Sequence, residues 1–373
     1  TSGHGIRHMA CQACVPDAGC RQAVLNWSLR AGPGFRVAQG AALKRLTLEM
    51  PALLDCLPVQ SDALPVLIDV GAGIHGQSAS DSARRVHPDD SDSLILLARF
   101  GERAHVHAWE PSPRFSRGLF TAARSRLTTR NYTHRLTIHE EGVGAKSGRE
   151  MGCGPANRFA LGSDSRMYCK TVNVTTLDAW AAWHRGSSRL LYAKVDVEGG
   201  EWAVLQGMRG LLAAQQVDLL SFEYAVGWHA HFHKARPLSP SERGEVNATL
   251  FRFQAALFDL GYDTYLLHAP SPRHGVTLVP VYGAFWHDAF EICFNRSVMY
   301  GPEGWGRACW NDLLVVRRCS ACVKRALMTV MLPATAPPGA STNASAAMLW
   351  ASRWRRRLPY RTGADAFPEC SCM

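Results

Sequence analysis

The sequence lacks any apolar run near the roughly 20 residues a helix needs to span a bilayer, so nothing in its 373 residues reads as a transmembrane segment. It shows no internal repeat, which leaves a solenoid or propeller without a basis. Clustered charge is scarce as well. The formal net charge of +10 is spread along the chain, and only Arg353 to Arg361, interleaved with Trp354 and Tyr360, is densely basic. A solvated basic tail accounts for that cluster, and no nucleic-acid partner is expected.

Asparagine is also scarce, and its placement is therefore informative. Six of the eight asparagines stand in Asn-x-Ser/Thr, at Asn26, Asn131, Asn173, Asn247, Asn295 and Asn343. Serine and threonine together make up 43 of 373 residues, so chance would place only about one asparagine in that pattern. The excess points to a glycoprotein of the secretory pathway, in the Golgi lumen or outside the cell, with N-linked glycans on several of these sites. Twelve cysteines, an even number, agree with that compartment. Cys11-x-x-Cys14 and Cys319-x-x-Cys322 have the spacing of zinc half-sites, but beside the sequons disulfides are the expectation, with a connectivity that spacing does not reveal. The chain opens on Thr1 rather than Met, so an N-terminal segment removed or left out is expected, with which a signal peptide or signal anchor would be consistent.

With 47% hydrophobic residues the chain can bury a full α/β core. Its organising stretch is Leu191 to Trp202, LYAKVDVEGGEW: a nearly continuous apolar strand, an abrupt stop at Gly199-Gly200, then apolar residues at helical spacing. Asp196, Glu198 and Glu201 therefore lie at or just beyond the C-terminal end of a strand, where open α/β sheets bind ligands. A plainer explanation makes them acids favoured by a helix N-terminus, Glu201 above all. Upstream, Val66 to Gly76 is a second apolar strand, carrying Asp69 and a glycine-rich turn that lets backbone N–H groups approach a ligand. A third strand, His105 to Trp109, runs into Glu110, and an acid there accepts hydrogen bonds from ribose hydroxyls in nucleotide-type α/β folds.

These segments together resemble the FkbM-type S-adenosylmethionine-dependent O-methyltransferases. The resemblance rests on IDVGAG (Ile68 to Gly73), AWEPSP (Ala108 to Pro113), GVGAKSG (Gly142 to Gly148), VTTLDAW (Val174 to Trp180) and KVDVEGGEW (Lys194 to Trp202), all in family order and spread over Pro65 to Arg318. The last of these is the most specific. The chain departs from the family at Gly73-Ile74-His75-Gly76, where Asn-Ile-Gly usually follows Gly-Ala, and in a polar insertion from Gln77 to Asp92.

The fold expected is a doubly wound, mostly parallel Rossmann-like methyltransferase sheet with an antiparallel last strand. Residues 1–64 read as a cysteine-containing N-terminal extension, 65–318 as the methyltransferase domain, and 319–373 as a cysteine-containing basic tail. Strands are expected at Val66 to Val70, His105 to Glu110, Leu136 to Glu140, Val172 to Thr176, from Leu191, Val217 to Tyr224, Tyr262 to Leu267 and Asp312 to Arg317. Met151 to Tyr168 reads as a loop or small hairpin, and Thr249 to Leu260 as a helix whose Leu250, Phe251, Phe253, Leu257 and Phe258 face the core.

S-adenosylmethionine is the cofactor the resemblance implies. It implies too that Asp69, Gly71 and Gly73 line the cofactor loop, Glu110 holds the ribose, and Asp196 and Glu198 lie beside the methyl. Asp196 or Glu198 is the expected general base, with His229 as runner-up. His229, His231 and His233 alternate and could present three ligands if extended, but exposed or substrate-contacting histidines are commoner and no metal is expected. The acceptor expected is a sugar hydroxyl on a glycan or glycoprotein, with Trp180, Trp183, Trp202, Trp228, Trp286 and Tyr282 as stacking faces. Two rivals remain open: a non-catalytic glycoprotein that keeps the fold as a structural or interaction module, and a dinucleotide oxidoreductase, whose full G-x-G-x-x-G is disturbed by His75 and the insertion.

Overall fold

The computed structural model describes residues 64–73, 91–112, 116, 119, 133–153, 160–161, 169–184, 190–197, 199–224, 250–268, 277–283, 311–320 and 323. The apolar runs form the middle of a sheet. β1 (Val66–Val70), β8 (Leu190–Val195) and β9 (Val217–Tyr224) are buried at nearly every position, as strands covered on both faces must be. β2 (His105–Trp109) and β3 (Leu136–His139) extend the sheet on one side. β10 (Tyr262–His268), β11 (Thr277–Pro280) and β12 (Asn311–Arg317) extend it on the other. The strand order is β11-β10-β12-β9-β8-β1-β2-β3. β1, β2, β3, β8 and β9 pair in parallel, whereas β12 runs antiparallel to both β9 and β10.

That order sets the position of the site. The chain runs outward from β1 through β2 to β3, then returns to β8 on the opposite side of β1. The gap beyond the C-terminal ends of β1 and β8 is thus the point where the winding reverses, and a ligand crevice opens there. In-register pairing sets Asp69 beside Lys194 and Val70 beside both Trp109 and Val195.

A smaller four-stranded sheet is built from β4 (Gly142–Val143), β5 (Gly148–Cys153), β6 (Ala160–Leu161) and β7 (Cys169–Thr175), in the order β4-β7-β5-β6. The strand expected at Val172 to Thr176 therefore belongs to this second sheet and not to the parallel one. Its alternation fits such an edge layer, with Val172 and Val174 buried and Thr171 and Asn173 exposed.

The helices are short. α1 (Asp92–Phe100) packs over β1 and β2 with Leu94, Leu97 and Phe100 buried. α2 (Leu177–Trp183) starts at Thr176, whose hydroxyl accepts from Ala179 N at 3.0 Å. α3 (Glu201–Gly207) and α4 (Arg209–Ala213) follow β8, and both carboxylate oxygens of Asp178 on α2 accept backbone N–H groups at the start of α4, Gly210 at 2.8 Å and Leu211 at 2.9 Å. α5 (Leu250–Asp259) buries Leu250, Phe253 and Leu257 at helical spacing. Phe251, expected in that stripe, is 50% exposed because it lies about 100° around the helix from Leu250. Phe258 packs beneath the Arg318 guanidinium, 4.0 Å from the ring centre.

Ser116 and Leu119 are helical. β11 lies between the last two expected strands and is not among those expected. Among the described residues no helix is long and apolar enough to cross a membrane. The two terminal extensions and most of the cysteines lie outside the described residues; Cys319 is exposed with a free thiol.

Candidate functional site

The crevice is closed underneath by a contact that only glycine permits. Gly71 leaves β1 with φ of +81°, and a Cβ there would lie 1.8 Å from the backbone oxygen of Asp196. Gly71 N and Ala72 N both donate to Trp109 O at 3.0 Å, and Asp196 N donates to Val70 O at 2.9 Å. The turn after β1 is thereby clamped between the ends of β2 and β8.

Gly73 faces the open side. A Cβ at this position would meet Glu110 Oε2 at 3.7 Å, an ordinary contact. Glu110 is buried, and its Oε1 accepts from Ser112 N at 2.8 Å. Among the described residues Oε2 has no hydrogen-bond partner. Burial, and less so the nearby Asp69, pushes the Glu110 carboxyl up to about 7, against the lowering pull of the Ser112 N–H and Lys194. A buried carboxylate with one unfilled oxygen facing a glycine turn fits a ligand that brings its own hydroxyl donors.

Asp69 has a different environment. It is fully buried, accepts from Ser93 Oγ at 2.5 Å and lies 3.6 Å from Lys194 Nζ. It is held beneath the loop between α1 and β8. Lys194 also meets Asp92 Oδ2 at 2.8 Å and Asp196 Oδ2 at 3.3 Å. Burial alone would lower its pKa, but Asp92, Asp196 and Asp69 outweigh that and hold it well above the ordinary value. Asp92 is the first residue of α1 and the nearest ion-pair partner of Lys194; Ser91 occupies the cap position without a side-chain bond.

Asp196 follows β8 directly, its side chain one-fifth exposed. Oxygens of Asp196, Glu201 and Glu223 all lie within 4.8 Å of one another, close enough to hold a cation between them. Glu201 is only partly free for that role. Its Oε1 accepts from Val197 N and Gly199 N, both at 3.1 Å, so it fastens the turn between β8 and α3. Burial raises its carboxyl to about 7 despite those bonds. Asp312 stands opposite Glu223 in the β9–β12 pairing, and burial with the nearby Asp196 pushes it up to about 7 as well. This edge of the crevice is crowded with acid: Asp69, Asp92 and Asp196 surround Lys194, and burial pushes three further carboxyls, Glu110, Glu201 and Asp312, up to about 7.

Asp69, Gly71, Gly73, Glu110 and Asp196 thus gather around the ends of β1, β2 and β8, while Glu198 and His229 lie outside the described residues, as do His231, His233, Trp228 and Trp286. Of the aromatic residues considered for stacking, Trp180 is buried in the core with its ring edge-on to Trp109, and Tyr282 is buried against Phe258 and Tyr265. Trp202 is half-covered by Phe253 and by Arg252, 4.8 Å above its ring, whereas Trp183 is 88% exposed. Glu223 and Asp312 were not singled out from the sequence, because only strand pairing gathers them: β9 beside β8 sets Glu223 next to Asp196, and β12 beside β9 sets Asp312 opposite Glu223.

Residues 69–253 match the family model of the methyltransferase FkbM domain. No curated protein matches the chain. Among solved structures, the methyltransferase FkbM from Methylobacillus flagellatus KT aligns at 19% identity over 70% of this chain, with a TM-score of 0.35; the alignment spans 55% of that protein's length. The O-methyltransferase from Bacillus cereus in complex with SAH aligns at 11% identity over 81% of this chain and 92% of that one, with a TM-score of 0.30.

Proposed function

We propose, starting from the chain's membership of the FkbM methyltransferase family through residues 69–253, that it is an S-adenosylmethionine-dependent O-methyltransferase acting on a sugar hydroxyl of a glycan or glycoprotein in the secretory pathway. The observation that carries the cofactor assignment is Glu110: a buried carboxylate whose Oε2 has no hydrogen-bond partner among the described residues, across a glycine turn at the point where the sheet winding reverses. S-adenosylmethionine, when bound, supplies an electrophilic sulfonium methyl. Glu110 accepts hydrogen bonds from its ribose hydroxyls, and Gly71 to Gly73 leave room for its close approach. The acidic edge around Asp196 suits a cationic sulfonium, since carboxylates there outnumber the lysine that they surround.

Asp196 is the base. Its partly exposed carboxylate lies at the mouth of the crevice and takes the acceptor hydroxyl's proton as the oxygen gains the methyl. Lys194, held charged by its aspartates, fixes the Asp196 side chain. Glu198 and His229 are the alternative bases. The lumenal setting is supported by the six sequons, of which Asn173 stands exposed on β7, and the exposed Trp183 offers one face for a sugar ring.

Calorimetry with S-adenosylmethionine and S-adenosylhomocysteine on the glycosylated, oxidised protein tests the cofactor site. Binding that Glu110→Ala abolishes is the expected result; no binding by a folded sample would favour the non-catalytic module. With labelled cofactor and glycan acceptors, Asp196→Asn should lower turnover by about 10²- to 10⁴-fold at unchanged cofactor affinity. If Asp196→Asn and Glu198→Gln both kept full turnover, the base assignment would fall, and transfer only to small lipophilic alcohols would exclude the sugar acceptor.

A further inference from the structure

The small sheet pairs two cysteines across neighbouring strands. β5 and β7 are antiparallel, and their register runs without a shift from Gly148 opposite Val174 to Cys153 opposite Cys169. Cys153 is the last residue of β5 and Cys169 the first of β7, so they occupy the final register position on either side of the 154–168 segment. We propose that Cys153 and Cys169 form a cross-strand disulfide that closes this segment onto the sheet.

Backbone geometry favours the bond. Directly opposite residues of an antiparallel pair have Cα atoms about 4.5–5.5 Å apart and Cβ atoms at a similar distance. A disulfide takes Cα separations of roughly 4.4–6.8 Å and Cβ separations of roughly 3.5–4.5 Å, so closure asks for an approach of no more than about 1 Å. A slip of one residue would send the two positions to opposite faces of the sheet and forbid the bond. β5 is held on its other side by β6, with Cys153 opposite Ala160, which keeps the register from drifting.

The chemistry is a two-electron oxidation. The two thiols lose two protons and two electrons, and the sulfur–sulfur bond forms by thiolate attack on a mixed disulfide with a low-molecular-mass disulfide such as oxidised glutathione, which leaves as two thiols. Closing a 15-residue loop removes entropy from the unfolded chain and pins the end of β5 to the start of β7. β7 is the strand that leads through Thr176 into α2, so the bond fixes the far end of the layer covering that side of the domain. The proposal rests on strand register alone, and it stands or falls independently of the methyl-transfer reading.

The test uses the full chain, reduced and then reoxidised in a buffer of oxidised and reduced glutathione, so that the compartment of origin plays no part. Free thiols are alkylated with iodoacetamide in denaturant, and the protein is cut with trypsin and analysed by mass spectrometry without reduction. Cleavage after Arg149, Arg158, Arg166 and Lys170 releases residues 150–158 and 167–170, each with one of the two cysteines. A species with the summed mass of both peptides less two hydrogens, separating on reduction, is expected. Both peptides alkylated, or either joined to another cysteine, would overturn the pairing. In the same oxidising buffer the double variant Cys153→Ser/Cys169→Ser should melt about 5–10 °C below the parent; equal melting would overturn the role of the bond in holding the sheet.

Discussion

Two glycines two residues apart, Gly71 and Gly73, should respond to the same substitution in opposite ways. Gly71→Ala puts a Cβ 1.8 Å from a backbone oxygen, in a residue whose φ of +81° already disfavours a side chain. The conformation alone costs about 1–2 kcal/mol, and the clash cannot be relieved by a rotamer, because its partner is the backbone of Asp196 at the end of β8. Relief requires more than 1 Å of movement between β1 and β8, at the cost of the bonds that tie Gly71 and Ala72 to Trp109 and Asp196 to Val70. Each lost buried bond adds about 1 kcal/mol. A total near 3–5 kcal/mol corresponds to a melting temperature lower by roughly 6–20 °C for a domain of this size.

Gly73→Ala adds the same methyl where the nearest side-chain atom is Glu110 Oε2 at 3.7 Å, so the fold should be untouched and the melting temperature should move by no more than about 1–2 °C. That methyl occupies the cleft facing Glu110, and affinity for S-adenosylmethionine should fall about 10- to 100-fold. Differential scanning calorimetry and titration calorimetry on both variants separate the two effects. Gly71→Ala melting with the parent would refute the close approach of the β1 turn to β8. Gly73→Ala with full cofactor affinity would refute the location of the cofactor between Gly73 and Glu110.

Removal of the buried lysine in Lys194→Met should destabilise the protein by about 3–5 kcal/mol at pH 7, because Asp69, Asp92 and Asp196 lose their shared cation. Urea unfolding of both proteins at pH 7 checks this, and equal stability would contradict it. Cofactor affinity should itself depend on pH through Glu110, whose carboxyl is pushed up to about 7 by burial. Below that value the protonated acid is a poorer acceptor, so affinity should drop up to about tenfold per pH unit. Glu110→Gln should bind more weakly and show a shallower profile between pH 6 and 8 by titration calorimetry, with Glu201 and Asp312 still titrating near 7.

Local pattern carried much of the fold. Val217–Tyr224 is a strand over the expected residues, and Val66–Val70 falls where its apolar run puts it. The antiparallel finish also follows the resemblance. What local pattern does not carry is pairing. Val172 to Thr176 alternates like any half-buried strand, and nothing in its own residues assigns it to the small sheet over the large one. Glu223 reaches Asp196 through the pairing of β9 with β8, and Asp312 reaches the site only through a register between strands nearly ninety residues apart. The same limit hid a cluster of histidines on the flank of β2 and β3: His107 Nδ1 lies 3.0 Å from His139 Nε2, with His105 and His184 around them. Burial and this crowding hold His107 and His139 near 3 and 4, so they are neutral at ordinary pH, as core imidazoles must be.

The most specific segment of the chain, Lys194 to Trp202, owes most of its composition to the fold. Lys194 neutralises Asp69 and Asp92 inside the sheet. The backbone of Asp196 forces glycine at position 71. Glu201 fastens the turn through two N–H groups. An inert descendant that kept its stability would therefore keep these residues, and their presence weighs little for enzyme over structural module. The Asp196 side chain is different. Its carboxylate meets Lys194 at 3.3 Å, behind Asp92 at 2.8 Å, and it projects into partly exposed space beside Glu201 and Glu223. Asp196→Asn keeps the shape and leaves Lys194 its shorter contact with Asp92, so stability should change little while methyl transfer falls. A side chain whose charge the fold can lose at small cost is one retained for chemistry.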